Sequence, residues 1–288
     1  MDGGRGQAFL KPAVLAALDR LERGSDGIYS APVAPAGQVD EVRERERVAR
    51  IEYTDLLGEV GRHHSIRVMD REARLFLSRM PADGIVVDIG CGWGWPWRRL
   101  DMVRPDICVV LVDMVRENLR LAARLLRSFF NERVFLVHAD ATNLPFPAAA
   151  FDGCWSVQAF QHISAFEQAV KEARRILRPR GEFACYSLNR AAAIEAVYRL
   201  AGRKYHVEGA TSSFYLARAS AEQADVVSRV FGSPVASRYT EVLFHPDLRL
   251  RTGAADAAIG AIDAGLSSCL PLFAWVARQR SFHTRRSL

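Results

Sequence analysis

A doubly wound α/β sheet, mostly parallel with an antiparallel last strand, is the fold class that the sequence predicts, on three observations. Short apolar runs alternate with helical patterns from residue 85 to residue 187; the first run ends in glycines at alternate positions, Gly90, Gly92 and Gly94; the second ends in an acid, Asp113. Joining parallel strands requires right-handed crossovers, and helical crossovers cover both faces of the sheet.

The strands are expected at 85–89, 108–112, 134–138, 152–157 and 182–187, with helices such as 114–127 and 164–177 between them. A helix over 220–231 opens at Ser220, a strand over 235–244 follows, and a last strand is placed near 272–278. Ahead of the sheet, Val14, Leu15, Leu18 and Leu21 have helical spacing and Gly24 is a plausible stop. The stretch SAPVAPAGQ reads as a linker, and DEVRERERVAR from Asp40 to Arg50 as an exposed helix whose charges pair along its face. A further helix pattern spans 64–79, ended by Pro81-Ala82-Asp83-Gly84. This divides the chain into an N-terminal helical extension and cap, 1–80, and a main domain, 81–288, within which 188–219 forms a lid or substrate insertion.

With 288 residues, 49% of them hydrophobic, the chain can bury one full core. Five cysteines, scattered and without CxxC spacing, suggest neither a zinc site nor a disulfide framework, and no metal is expected; a reducing, cytoplasmic setting fits them. The first residues lack the apolar core of a secretory signal, and Asp263 and Pro271 interrupt the one apolar stretch at 257–277, so no membrane span is expected. A net charge of +6 is expected to be an ordinary basic surface rather than a nucleic-acid footprint. The tail Arg278, Arg280, His283, Arg285, Arg286 lacks interleaved aromatics and reads as frayed and solvated. A small-molecule acceptor is therefore the expected partner, and homodimer formation is left open.

The decisive segment is Ile85-Val86-Val87-Asp88-Ile89-Gly90-Cys91-Gly92-Trp93-Gly94. Glycine tolerates positive φ and lets a ligand lie against the backbone, and the carboxyl end of a strand in an open α/β sheet is where ligands bind. A dinucleotide loop would need glycine at position 95, which is Trp95. Asp113 stands at the distance downstream where a carboxylate accepts ribose hydroxyls, a place that also suits a helix cap. Three further segments follow in order: His138-Ala139-Asp140-Ala141, Phe151-Asp152-Gly153-Cys154-Trp155-Ser156-Val157-Gln158, and Arg175-Ile176-Leu177-Arg178-Pro179-Arg180-Gly181.

Together these segments resemble the class I, Rossmann-like S-adenosylmethionine-dependent methyltransferases, over residues 85–187. The resemblance implies S-adenosyl-L-methionine as cofactor. It places Asp88, Gly90, Cys91, Gly92 and Gly94 at the loop beside the methionine end, Asp113 at the ribose, Met114, Asp140 and Ala141 at the adenine, and Gln158 near the methionine portion. Arg180 departs from the family's usual glycine, which questions the turn type there.

Methyl transfer needs the nucleophile, methyl carbon and sulfur held in line in a dry site. If the acceptor is a hydroxyl, a base helps, and His162, just past the fourth strand, is the candidate; packing or orientation is its competing role. His63 and His64 precede the sheet on a segment that folds over the cofactor in the family, and Asn189 and Tyr215 lie where the family inserts recognition elements, so these four are the candidate substrate residues. Trp93, Trp95 and Trp97 are expected to pack against helices rather than to wall the acceptor. The expected activity is methyl transfer to a small molecule, through a hydroxyl of a metabolite or sugar. The alternatives are carbon or nitrogen transfer and a cofactor-binding protein without transferase activity.

Overall fold

The computed structural model describes residues 10–32, 39–52, 65–202, 209–211, 214–243 and 256–288. Helix α1 (Pro12–Leu18) leads through two-residue strands β1 (Glu22–Arg23) and β2 (Tyr29–Ser30) to helices α2 (Val39–Glu52) and α3 (Ser65–Leu77). The alternating part follows: β3 (Ile85–Ile89), α4 (Leu100–Val103), β4 (Cys108–Asp113), α5 (Arg116–Leu125), β5 (Val134–His138), β6 (Phe151–Val157), α6 (Phe166–Ile176) and β7 (Leu177–Leu188). The chain continues with α7 (Ala192–Leu200), the hairpin β8 (Gly209–Thr211) and β9 (Phe214–Leu216), then α8 (Ala221–Phe231), β10 (Ala236–Thr240), α9 (Asp256–Leu266) and β11 (Gln279–Arg285).

Among the described residues the main sheet runs β1-β2-β5-β4-β3-β6-β7-β11-β10. Its centre, from β2 to β7, is parallel, and β11 and β10 close it antiparallel. Both faces are buried, as the helical crossovers require. Ile85, Val87 and Ile89 join Val110, Val112, Phe135 and Val137 in one core, while Val86, Val109, Leu111, Val134 and Leu136 join the other. Alternate residues of one strand thus serve opposite cores, which explains why these strands are apolar throughout. Among the described residues no helix is long and apolar enough to cross a membrane.

Four expectations are corrected. The helix expected over 11–23 ends at Leu18, and the next residues form β1 and β2; Ala31, expected in a linker, is buried and donates its amide to the His138 carbonyl at 3.0 Å. The strand expected near 272–278 is displaced: Pro271–Trp275 is a 3-10 helix that begins at the proline, and the strand starts at Gln279. The basic tail is that strand, inserted between β7 and β10. Gln279, Ser281, Phe282 and Thr284 are buried on it, Arg278 reaches Glu241 at 2.6 Å, and Arg285 reaches Glu182. Charge pattern alone misread it, because the free edge of β7 needed a hydrogen-bonding partner.

Helix α3 is locked onto the sheet by a buried polar knot. Glu72, 2% exposed, accepts from Tyr186 Oη at 2.9 Å and from Arg238 at 3.0 and 3.2 Å. Two residues earlier, Asp70 accepts a bidentate bond from Arg98 at 2.6 and 2.7 Å, and the Arg98 guanidinium lies 3.9 Å over the Trp95 ring. These contacts fix the chain just beyond the glycine loop.

Candidate functional site

The loop after β3 is shaped by backbone bonds from its neighbours: the Val112 carbonyl accepts from Gly90 N at 2.7 Å and from Cys91 N at 3.1 Å. Gly90 has φ 69°, and a Cβ there would lie 2.1 Å from the Cβ of Ala159. Only glycine lets β3 and the end of β6 approach so closely. Gly92 has φ 54°, yet a Cβ there would meet no protein atom within 4 Å. Its bare backbone borders open space.

That space is a cavity of about 340 Å³ at the carboxyl ends of β3, β4, β5 and β6, a volume within the small-molecule range. Gly90, Gly92, Asp113, Met114, Asp140, Ala141, Gln158 and His162 all line it. Residues the sequence did not single out line it too: Val42 and Arg45 from α2, Asn118 from α5, and Ala159 and Ile163 after β6. Arg45 lay in a charge run read as a solvated helix face. The three-residue spacing of Val42 and Arg45, which puts both on one face, was the available signal.

Asp113, only 8% exposed, joins the loop to the helix behind it. Its Oδ2 accepts from Gly92 N at 2.8 Å and its Oδ1 from Val115 N at 2.8 Å. Burial raises its carboxyl to about 6 against these bonds, so at pH 7 it remains mostly ionised. Asp140 uses Oδ1 to accept from the Thr142 amide and hydroxyl, both at 2.8 Å. Gln158 sits at φ 56°, a left-handed conformation that costs a non-glycine residue about 1–2 kcal/mol, held by its amide bond to the Tyr186 carbonyl at 2.7 Å.

His162 ends a 3-10 turn, Phe160–His162. Its Nδ1 lies 2.8 Å from the Tyr215 carbonyl, which can only accept, so Nδ1 carries the proton and Nε2 accepts from Gln161 Nε2 at 3.1 Å. Burial, and then the charge of Arg45, depress the imidazole to about 4. It is neutral throughout the physiological range.

Asp88, Cys91 and Gly94 do not line the cavity. Asp88 faces the opposite core, where Oδ2 accepts from Trp97 Nε1 at 2.7 Å, and burial raises its carboxyl to about 7. Cys91 is buried and its thiol is pushed far up by burial. Asn189 donates to the carbonyls of Ala274 and Ala277 at 2.8 and 2.9 Å, and Tyr215 meets the site through its carbonyl. His63 and His64 lie outside the described residues. Of the tryptophans, Trp93 lines the cavity, Trp95 carries Arg98, and Trp97 is fully buried. Arg180, at φ 64°, adopts the left-handed turn that glycine serves in the family pattern.

The contents of the cavity fit a nucleoside with an amino-acid tail better than a dinucleotide. The lining combines the carboxylates of Asp113 and Asp140 and the amide of Asn118 with apolar Met114 and Ala141 and with bare backbone at Gly92. Comparison with known proteins agrees. Residues 87–185 match the family described as Methyltransferase domain. The 27-O-demethylrifamycin SV methyltransferase of Amycolatopsis mediterranei is 32% identical over 119 residues, 41% of this chain and 43% of that protein. The sterol 24-C-methyltransferase of Eremothecium gossypii is 30% identical over 102 residues, 35% of this chain and 27% of that protein. The matched stretch thus spans less than half the length of these relatives. The solved structure of the Burkholderia thailandensis 1,6-didemethyltoxoflavin-N1-methyltransferase superposes with a TM-score of 0.57 at 15% identity, covering 90% of this chain and 93% of that one. The motif series, the parallel sheet and the cavity at its carboxyl edge thus accompany a match to a methyltransferase domain over residues 87–185.

Proposed function

We propose that this chain transfers the methyl group of S-adenosylmethionine to an oxygen of a small-molecule acceptor. The observation that carries the reading is the cavity in which Asp113, tied to Gly92 and Val115, faces the open backbone of the glycine loop. When bound, the cofactor supplies a methyl carbon activated by its positively charged sulfur. Asp113 and Asn118 bind the ribose hydroxyls, Met114, Asp140 and Ala141 the adenine, and Gly90, Gly92 and Gln158 the methionine end. Asp88, Cys91 and Gly94 act from behind, as supports of the loop. The likeness to the 27-O-demethylrifamycin SV methyltransferase, named for a 27-O position, is in keeping with this reading.

An imidazole depressed to about 4 is a poor acceptor for the proton of an aliphatic alcohol, since proton transfer is most efficient when the base matches the working pH. His162 therefore orients an acceptor through Nε2 once the acceptor displaces the Gln161 amide that Nε2 accepts from at 3.1 Å, and the hydroxyls that suit it are acidic ones, phenol or enol, which ionise in water. The same weak basicity favours a second reading, an acceptor nitrogen or carbon that needs no base.

His162→Asn is expected to lower the rate of methyl transfer by about tenfold or less, the loss of one neutral hydrogen bond, with the pH profile between 5.5 and about 8 unchanged in shape. The sign follows from the depressed imidazole: above about 5 it carries no proton to lose. Single-turnover transfer of labelled methyl to phenolic, enolic and aliphatic hydroxyl compounds checks this. An inflection near 6.5 that vanishes in the variant would instead make His162 the base.

A further inference from the structure

A second cavity, open and of about 270 Å³, lies at the end of α6 remote from the glycine loop. Its described lining is Ala148, Lys171, Arg174, Arg175, Val230 and Arg286, which supplies four cations and no acid. Lys171, Arg174 and Arg175, spaced by three and four residues, share one face of α6. Arg286 follows β11 directly and is fixed on both sides: its amide donates to the Gly181 carbonyl at 3.0 Å, and its carbonyl accepts from Arg180 N at 2.9 Å. Helix α6 runs back from the turn that ends at His162 to the start of β7. The cavity therefore sits at the amino edge of the sheet, about 16 Å from the cofactor side by the length of the helix.

The charges here are not balanced within the protein. Lys171 pairs with Glu167 at 2.9 Å and Arg175 with Glu172 at 2.7 Å. Arg174 and Arg286 have no acidic partner among the described residues, and Nε of Arg174 is shielded from solvent without a hydrogen-bond partner. Arg286 meets the carbonyls of Arg174 and Arg175 at 3.3 and 3.2 Å, and that of Leu177, all through Nη1, so one corner of its fork caps the last turn of α6. Burial, and then the charge of Arg174, pull its guanidinium below the usual range. Capping the helix needs one cation, and a second unpaired guanidinium held against it adds repulsion. An oxyanion between the two removes that repulsion, and the planar forks match its oxygens with paired N–H bonds. Four cations against two acids leave an excess of two charges, which suits a phosphate ester, itself near two negative charges at pH 7, better than a carboxylate.

We propose that this cavity binds the phosphoryl group of a small molecule, with Arg174 and Arg286 as its principal contacts and Lys171 and Arg175 at its rim. The site is separate from the cofactor cavity, and neither assignment depends on the other.

Calorimetry on the full chain with inorganic phosphate, glycerol phosphate and acetate, each up to millimolar concentration at physiological ionic strength, tests it. Saturable one-to-one binding of the two phosphates and none of acetate is expected; the tighter of the two tells a phosphate ester from free phosphate. Arg174→Gln is expected to weaken them about ten- to hundredfold, the loss of a charged hydrogen-bonded contact, without lowering the melting temperature of the free protein. Arg174→Lys, which keeps the charge without the fork, is expected to fall between, and it carries the comparison if the glutamine variant is poorly folded. Wild-type protein that binds neither phosphate, or binding that both variants leave within about threefold, would overturn the proposal. So would a single-stranded RNA that binds far more tightly than either phosphate, with steep salt dependence and sensitivity to Arg174, since the patch would then be a nucleic-acid contact. Failure of S-adenosylhomocysteine to bind would count against the cofactor reading alone.

Discussion

Gly90→Ala is expected to destabilise the protein by about 2–5 kcal/mol, from left-handed strain of about 1–2 kcal/mol added to overpacking of about 1–3 kcal/mol. The added methyl would lie 2.1 Å from the Ala159 Cβ, a distance no packing tolerates, and the backbone is at φ 69°. Relief requires β3 to separate from the end of β6, and that movement displaces Gln158, Ala159 and the adjoining turn that carries His162. Thermal unfolding should fall by roughly 5–15 °C for a chain of this size, with loss of S-adenosylhomocysteine binding. Gly265→Ala is the control. It lies in α9, where a methyl meets nothing within 4 Å, and helix propensity should make it neutral or more stable by up to about 1 kcal/mol. A Gly90→Ala protein with unchanged melting would contradict the close approach on which the site is built.

Asp113→Ala is expected to weaken S-adenosylhomocysteine about a hundredfold or more. Two charge-assisted bonds to ribose hydroxyls contribute about 1.5–3 kcal/mol each, and the carboxylate that orders the loop is lost as well. Gly92 N and Val115 N lose their acceptor at 2.8 Å, so melting should drop modestly, in contrast to the larger drop for Gly90→Ala. Asp113→Asn is intermediate, because its amide oxygen can serve one backbone N–H while its NH2 opposes the other. Calorimetry on both variants checks the order. Equal affinity in wild type and Asp113→Ala would remove Asp113 from the ribose site.

Much of the sheet was legible because its physics is local. Strands buried on both faces are apolar throughout, and Ile85–Ile89 and Val134–His138 coincide with the expected runs. Of the two roles offered for Asp113, the one at the helix start is seen, since its carboxylate accepts from the start of α5, and the same carboxylate lines the cavity. What escaped was set by distant partners. The tail 279–285 carries the charge of a solvated segment, and its place was decided by the open edge of β7, nearly a hundred residues away. Arg45 reads as one charge among many on α2, and nothing local says that this helix face meets a cavity. Asp88 illustrates the reverse: strand alternation puts it opposite Ile89, so the motif position sits one residue out of phase with the ligand face and turns to Trp97 instead. Asn189 has the polarity of a substrate contact, yet its amide is consumed by two backbone carbonyls.

The central claim is that the cavity at the carboxyl edge of the sheet holds S-adenosylmethionine. Calorimetry on the full chain with S-adenosylhomocysteine and, separately, with a nicotinamide dinucleotide tests it most directly. The account predicts saturable one-to-one binding of S-adenosylhomocysteine that Asp113→Ala weakens about a hundredfold or more, and no binding of the dinucleotide, whose pyrophosphate would need glycine where Trp95 stands. Preference for the dinucleotide, or binding of S-adenosylhomocysteine that is indifferent to Asp113, would contradict it.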